Sequence, residues 1–221
     1  MSKEEFTFVV SDIHGRVDLL QKCITAIESY SDSGKVIFTG DYIDRGPNSK
    51  EVLDLLITGP TKEGWTWEFI RGNHEDLLLD AFKGINQELW IMNGGNATLD
   101  SYGDGNFDLI PFEWLENLPR LLWDDLRVYV HAGVDETVPL EEQDPNVTQW
   151  ARYRKGDNIG YNGRHVVHGH TPQKHGPELY EKRTNLDTGG VFTGNMVVGV
   201  FNNKVGKPID LLYVKEDELE K

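Results

Sequence analysis

The stretch Phe6-Thr7-Phe8-Val9-Val10-Ser11-Asp12-Ile13-His14-Gly15 is an apolar run of strand length that stops on a carboxylate and an imidazole. Its first half is β-branched and aromatic, as a buried strand requires. Asp12 and His14 are two residues apart, so in extended chain both side chains project the same way. That spacing lets two ligands share one metal ion.

The same construction recurs outward along the chain. Lys35–Thr39 runs into Gly40-Asp41, and Trp65–Ile70 runs into Arg71-Gly72-Asn73-His74-Glu75. Arg127–Val130 runs into His131-Ala132-Gly133, and His165–Val167 into His168-Gly169-His170-Thr171. Between the first three runs, apolar residues near a 3.6 period predict helices over Val17–Tyr30 and Asn48–Ile57. A third helix is expected over His74–Phe82, where Glu75 and Asp76 suit the positive end of the helix dipole. Alternating strands and helices imply an α/β core with parallel strands. Asn185–Thr188, Asn195–Phe201 and Asp210–Val214 read as successive short strands of a mixed or second sheet. The chain, 1–221, reads as one domain. Residues 132–164 are loop-rich and acidic, the character of a functional lid, and 215–221 form a charged tail expected to fray.

With 221 residues and a net charge of −15, the chain lacks the basic footprint that neutralises nucleic-acid phosphates or an anionic membrane surface. No stretch approaches the roughly 20 apolar residues of a membrane helix. The one cysteine, Cys23, excludes an internal disulfide and a thiolate metal cage, and reads as a small core residue on the first helix. Met1–Glu5 has no basic leader region. A cytoplasmic protein is expected.

Ligands of open α/β sheets sit at the carboxyl ends of strands. Here those ends carry Asp12, His14, Asp41, Asn73, His131 and His170. Imidazoles, carboxylates and an amide without sulfur suit manganese, iron or zinc better than calcium or magnesium. The set is too large for one tetrahedral ion and right for two, with one carboxylate bridging. A pair of ions clamps an in-line displacement at phosphorus and supplies hydroxide at neutral pH.

Ser11-Asp12-x-His14-Gly15, Gly40-Asp41-Tyr42-Ile43-Asp44-Arg45-Gly46, Arg71-Gly72-Asn73-His74-Glu75, His131-Ala132-Gly133 and Gly169-His170-Thr171-Pro172 resemble the motifs of the calcineurin-like metallophosphoesterases. Within them, the chain is similar to the phosphoprotein phosphatases of the compact type found in bacteria and bacteriophage lambda. Trp90–Gly95, Trp150-Ala151-Arg152 and Asp187–Asn195 extend the likeness from about Phe6 to Val200. The resemblance implies a four-layer α-β-β-α sandwich of two mixed sheets flanked by helices. It implies Asp12 and His14 on a first metal, Asp41 as bridge, and Asn73, His131 and His170 on a second, the ions being manganese by preference. It also implies His74 as general acid oriented by Asp44, with Arg45, Arg71 and Arg152 gripping phosphate. The activity implied is hydrolysis of phosphoserine or phosphothreonine in a phosphoprotein or phosphopeptide, by attack of metal-bound hydroxide. Related families use the same site on dinucleoside polyphosphates, for which Tyr42, Trp150 and Tyr153 offer a base pocket. A shallow site over a metal pair also admits phosphotyrosine.

Ser11 stands where the family usually has glycine. Alternation places the additional His168 on the same face as His170, as a supporting residue outside the metal set. Arg154 competes with Arg152, and the Trp-x-Arg pattern favours Arg152. Glu75 reads as a helix-start residue behind the site, Trp65 and Trp67 as one face of a strand, and His165 and His175 as surface residues. Asp135, Glu136, Glu141, Glu142 and Asp144 make the expected lid acidic. Such a lid would attract phosphopeptides flanked by Lys or Arg and repel polyanions.

Overall fold

The computed structural model describes residues 5–103 and 106–217. In chain order, β1 (Phe6–Val10), α1 (Val17–Tyr30), β2 (Gly34–Phe38), α2 (Ser49–Thr58), β3 (Trp65–Phe69) and α3 (Asn73–Phe82) form the regular first half. A helical module follows: α4 (Gln87–Trp90), a kinked turn over Ile91–Gly95, α5 (Asn96–Tyr102) and α6 (Phe112–Asn117). The second half holds β4 (Leu121–Trp123), β5 (Arg127–Val130), α7 (Pro145–Trp150), β6 (His165–His168) and β7 (Glu178–Leu179). It closes with β8 (Arg183–Asn185), α8 (Gly190–Thr193), β9 (Asn195–Asn202) and β10 (Asp210–Lys215).

The strands form two mixed sheets, ordered β10-β9-β1-β2-β3 and β4-β5-β6-β8-β7. The parallel pairs are β1/β2, β2/β3, β5/β6 and β6/β8, and β1/β9, β9/β10, β4/β5 and β7/β8 are antiparallel. Strand alternation divides the core into layers. Phe8, Val10, Val36 and Phe38 pack outward against Leu19, Leu20, Cys23 and Ile27 of α1 and Val52 and Leu53 of α2. Val9 and Ile37 face the other way and meet Tyr129, Val167 and Phe201 between the sheets. Burying each such side chain contributes about 1.5–3 kcal/mol, so a charged replacement at Val9 would part the sheets.

The outer face of the second sheet is covered differently. Val128, Val130 and Val166 pack against Val134, Leu140 and Tyr161, so the stretch expected as a lid supplies apolar cover for the sheet. At the chain's end, Glu218–Lys221 of the expected frayed tail lie outside the described residues. Lys215 closes β10, and Glu216 and Asp217 pair with Arg16 and Lys22. The strand expected at Asn185–Thr188 is displaced, since β8 ends at Asn185. Asn185 Oδ1 accepts the Asp187 N–H and Asp187 Oδ1 accepts the Gly189 N–H, so side chains replace the ladder and turn the chain into the site.

Candidate active site

Every parallel strand delivers its carboxyl end to one edge of the sandwich, and the motif residues meet there. The backbone at this edge is strained. Asp12 (φ 41°), His14 (46°), Asp41 (55°), Asp44 (70°), Arg45 (69°) and His170 (65°) all lie in the left-handed region, six of eight such non-glycine residues among those described. Each costs on the order of 1–3 kcal/mol, which the packed strands beneath must offset. A Cβ on Gly72 would stand 2.4 Å from the Asp41 nitrogen, so only glycine lets the two loops approach.

Asp41 is the centre. Ligand atoms of His14, Asp41 and His74 lie within 4.8 Å of one another, and so do those of Asp41, His131 and His170. His131 Nδ1 donates to the Thr39 carbonyl (2.9 Å), which leaves its Nε2 lone pair 2.8 Å from Asn73 Oδ1 and 3.2 Å from His170 Nδ1. Asp41 Oδ1 is 3.5 Å from the same Nε2. His14 Nδ1 likewise donates to the Ile43 carbonyl (2.8 Å), presenting Nε2 3.5 Å from Asp41 Oδ2. Asp12 stands beside these groups. Its carboxylate receives the His170 N–H on both oxygens (3.1 Å) and the Ser11 hydroxyl on Oδ2.

The electrostatics fit a pair of cations. Burial, reinforced by neighbouring carboxylates, pushes Asp12 and Asp41 well above the usual carboxylate range. Burial holds His14 and His131 well below the ordinary imidazole value and His170 at about 3. The imidazoles are therefore in the neutral, ligating form. Bound divalent ions favour ionised carboxylates and reverse the repulsion among the converging lone pairs.

His74 is set apart by its partner. It lies in the first turn of α3, and its Nδ1 is 2.7 Å from Asp44 Oδ2. Asp44 in turn accepts the Thr98 hydroxyl (2.6 Å) and the Trp90 indole N–H (3.0 and 3.1 Å). His74 Nε2 is buried without a hydrogen-bond partner, 3.9 Å from Asp41 Oδ2. Burial lowers the His74 pKa while Asp44 pulls it up. Glu75 lies behind the site: it accepts the backbone N–H groups of Asp41 (2.9 Å), Tyr42 (2.8 Å) and Gly72 (2.8 Å). Burial pushes its carboxyl up to about 7 against the pull of those donors.

The three expected phosphate arginines separate. Arg45 reaches the cluster, with NH1 2.7 Å from His14 Nε2 and the guanidinium over the Phe192 ring at 5.7 Å. Arg152 is exposed, and its charge helps to lower His170 and Asp187. Arg71 is buried and committed elsewhere, with Nε 3.2 Å from Asp76 and NH1 3.4 Å from the Glu116 carbonyl. Arg154 binds Asp157 through its backbone N–H.

Several expectations change. Tyr42 is fully buried, its hydroxyl donating to the Phe38 and Ile70 carbonyls. The Tyr153 ring lies under Arg183 (4.6 Å). Neither is free for a base, and Trp150, 5.9 Å from His170, is the exposed aromatic of that set. Three of the five lid carboxylates turn elsewhere: Asp135 onto Thr137, Asp144 onto the start of α7, and Glu136 onto a groove with Arg164 and Lys182. His168 Nε2 accepts from Arg183 (3.0 Å). His165 is buried rather than on the surface, bonded to Thr184 Oγ1 (2.8 Å). Residues without an expected role also enter. Trp90 and Thr98 brace Asp44, and Asp187 adds a buried carboxyl, raised by burial to about 6, that raises Asp12. Trp90 and Asp187 lay within stretches that carried the family likeness, whereas no motif marked Thr98.

Comparison with known proteins agrees with this geometry. The calcineurin-like phosphoesterase family model matches residues 7–196, and the chain belongs to that family. It is 29% identical to serine/threonine-protein phosphatase 1 of Salmonella typhimurium, over 86% of this chain and 89% of that protein. It is 30% identical to the bis(5'-nucleosyl)-tetraphosphatase PrpE of Bacillus subtilis, over 86% of this chain and 88% of that one. A protein serine/threonine phosphatase from Saccharomyces cerevisiae shares the fold, with TM-score 0.70 at 17% identity over 99% of this chain and 82% of that chain. The chain is thus a phosphoesterase hydrolase whose His and Asp groups can hold metal.

Proposed function

We propose that the chain is a binuclear, metal-dependent phosphomonoesterase acting on phosphoserine and phosphothreonine in proteins. The observation that carries this reading is His74: one ring nitrogen is held by Asp44, and the other is aimed, unpartnered, at the carboxylate shared by both ligand groups. His14, Asp12 and Asp41 would hold one ion, and Asp41, Asn73, His131 and His170 the second. The N/O donors favour manganese. Bound there, the ions supply charge to the phosphate oxygens and lower the pKa of water.

The chain's own groups then divide the work. Arg45 and Arg152 orient the phosphate through charge-assisted hydrogen bonds. His74 donates from Nε2 to the leaving alkoxide, and Asp44 stabilises the imidazolium form before donation. Trp90 and Thr98 hold the Asp44 carboxylate against that imidazole. Arg71 acts through Asp76 by fixing the first turn of α3. A single buried thiol suits a reducing cytoplasm. Among the described residues, no helix is long and apolar enough to cross a membrane.

A second reading, hydrolysis of dinucleoside polyphosphates, draws on the likeness to PrpE along nearly its whole length and on exposed Trp150 and Arg152 at the site. Turnover by manganese-loaded protein of a phosphoserine peptide, a phosphotyrosine peptide and diadenosine tetraphosphate separates them. The proposal expects the highest kcat/KM on the phosphoserine peptide. Fastest turnover of the dinucleotide would overturn it.

A further inference from the structure

The helical module carries a face that the proposed chemistry does not use. An apolar groove of about 300 Å³ runs between α3, α4 and the Phe107–Phe112 turn, with Phe82, Phe107 and Phe112 on its walls and Trp90 lining it. Phe82 stacks on Phe112 at 3.9 Å yet remains 61% exposed, and Met92 and Leu109 are also exposed. An apolar patch of this kind marks an interaction site.

The groove is wired to the site. Trp90, which lines it, donates its indole N–H to both oxygens of Asp44. The next turn, Ile91–Gly95, is kinked at Gly94, whose φ of 104° is not helical. Within it the Gly94 carbonyl accepts the Arg45 N–H (3.1 Å), and a Cβ on Gly94 would meet Arg45 Cγ at 2.8 Å. One short segment therefore touches the groove, the carboxylate that orients His74 and the arginine at the cluster.

The surroundings state what would fit. Asp80, Glu88, Asp108 and Glu113 are exposed on the same elements, interleaved with the apolar residues. Lys83, on this face, is paired with Glu116 at 2.7 Å. Apolar walls, on elements that carry these exposed carboxylates, complement an amphipathic segment bearing leucine or phenylalanine on one side and lysine or arginine on the other.

We propose that this groove docks an apolar, basic segment of the phosphoprotein substrate, lying outside the phosphorylated residue. The inference rests on the phosphoprotein reading above and moves the selection of basic substrates from the 132–164 stretch to the helical module. Seating the segment against Trp90 also steadies Asp44, so docking acts on kcat as well as KM.

The test uses full-length, manganese-loaded protein and two fluorescein-labelled amphipathic peptides, identical except for Lys or Glu on the polar face. Fluorescence anisotropy should show the Lys peptide binding about tenfold or more tightly than the Glu peptide. Phe107→Asp should abolish that preference, and Glu113→Lys, which leaves the apolar walls intact, should weaken it several-fold. Hydrolysis of p-nitrophenyl phosphate by both variants should match that of the unsubstituted protein. Joined to a phosphoserine peptide, the Lys segment should lower KM and raise kcat in the unsubstituted protein but not in Phe107→Asp. Equal binding of the two peptides, or indifference to both substitutions, would overturn the proposal. So would concentration-dependent self-association lost in Phe107→Asp, which would assign the groove to a second copy. Binding of the Lys peptide without hydrolysis of any phosphoserine peptide would retain the groove and remove the substrate reading. Hydrolysis of short phosphopeptides without Lys-peptide binding would do the reverse.

Discussion

The loops after β1, β2 and β3 and the loops after β5, β6 and β8 build one cluster from opposite sides, by different means. The first set brings Asp12, His14, Asp41, Asp44, Arg45, Asn73 and His74, five of them with positive φ, over a core of sheet, α1 and α2. The second set brings His131, His170, Arg152 and Asp187, over a sheet whose outer face is covered by Val134, Leu140 and Tyr161 of an irregular stretch. Strained, fully bonded geometry needs a rigid support, and the helix-backed half supplies it. The proposed proton transfer by His74 falls in that half. The other half completes the donor set and carries an exposed arginine.

If this division holds, removal of the shared centre should be the most damaging change. Asp41→Asn should lower kcat by roughly 10⁴ or more and metal content with it, because its carboxylate belongs to both ligand groups. Asp12→Asn should hurt less, since Asp12 stands beside them. Metal analysis alongside turnover checks both, and equal damage would erase the distinction between bridge and flank.

The clamp spans the two halves. Arg45→Ala and Arg152→Ala should each weaken inhibition by inorganic phosphate by about tenfold or more, the worth of a charged hydrogen bond. Arg154→Ala should leave it near the original value. A large effect at Arg154 would shift the second half's contribution by two residues.

The next test lies inside the rigid half. Trp90→Phe keeps the ring and removes the indole donor to Asp44. It should lower kcat several-fold with KM and metal content unchanged. A loss of metal would mean that Trp90 supports the cluster rather than the dyad.

These residues differ in how far the sequence discloses them. Apolar runs ending on ligands place β1, β2, β3, β5 and β6, because each strand must be buried and each must stop where polar chemistry begins. In sequence, Asn185–Thr188 reads as one of the successive short strands, which places Asp187 on a strand. Asn185 and Asp187 instead bond to the backbone ahead, which periodicity does not register. Thr98 and Trp90 reach Asp44 across 54 and 46 residues of chain, a contact that tertiary packing alone creates. Acidity alone suggests that 132–164 covers the mouth, but Val134, Leu140 and Tyr161 draw it onto the sheet. An isolated histidine such as His165 reads as a surface residue, although its strand neighbours Val166 and Val167 already require burial.

The smallest effect belongs to the second half alone. Burial lowers the His165 pKa from 6.5 to about 4. As pH falls through that window, the unfolded chain takes up a proton that the folded chain refuses. Stability is therefore full above 6.5 and declines towards 4. His165→Gln should flatten that decline in urea melts between pH 7 and pH 5 without altering turnover. An unchanged slope would remove His165 from the acid response.

In the proposed mechanism His74 moves a proton and holds no metal, although a ring nitrogen lies close enough to the His14 and Asp41 ligand atoms for either role. The most direct measurement is His74→Asn, assayed for manganese content and for kcat on a phosphoserine peptide and on p-nitrophenyl phosphate. His74→Asn should retain two ions and lose roughly 10²–10⁴ in kcat on the peptide, with a much smaller loss on the activated ester, whose leaving group needs little protonation. Equal losses on both substrates, or the disappearance of one ion, would contradict that mechanism.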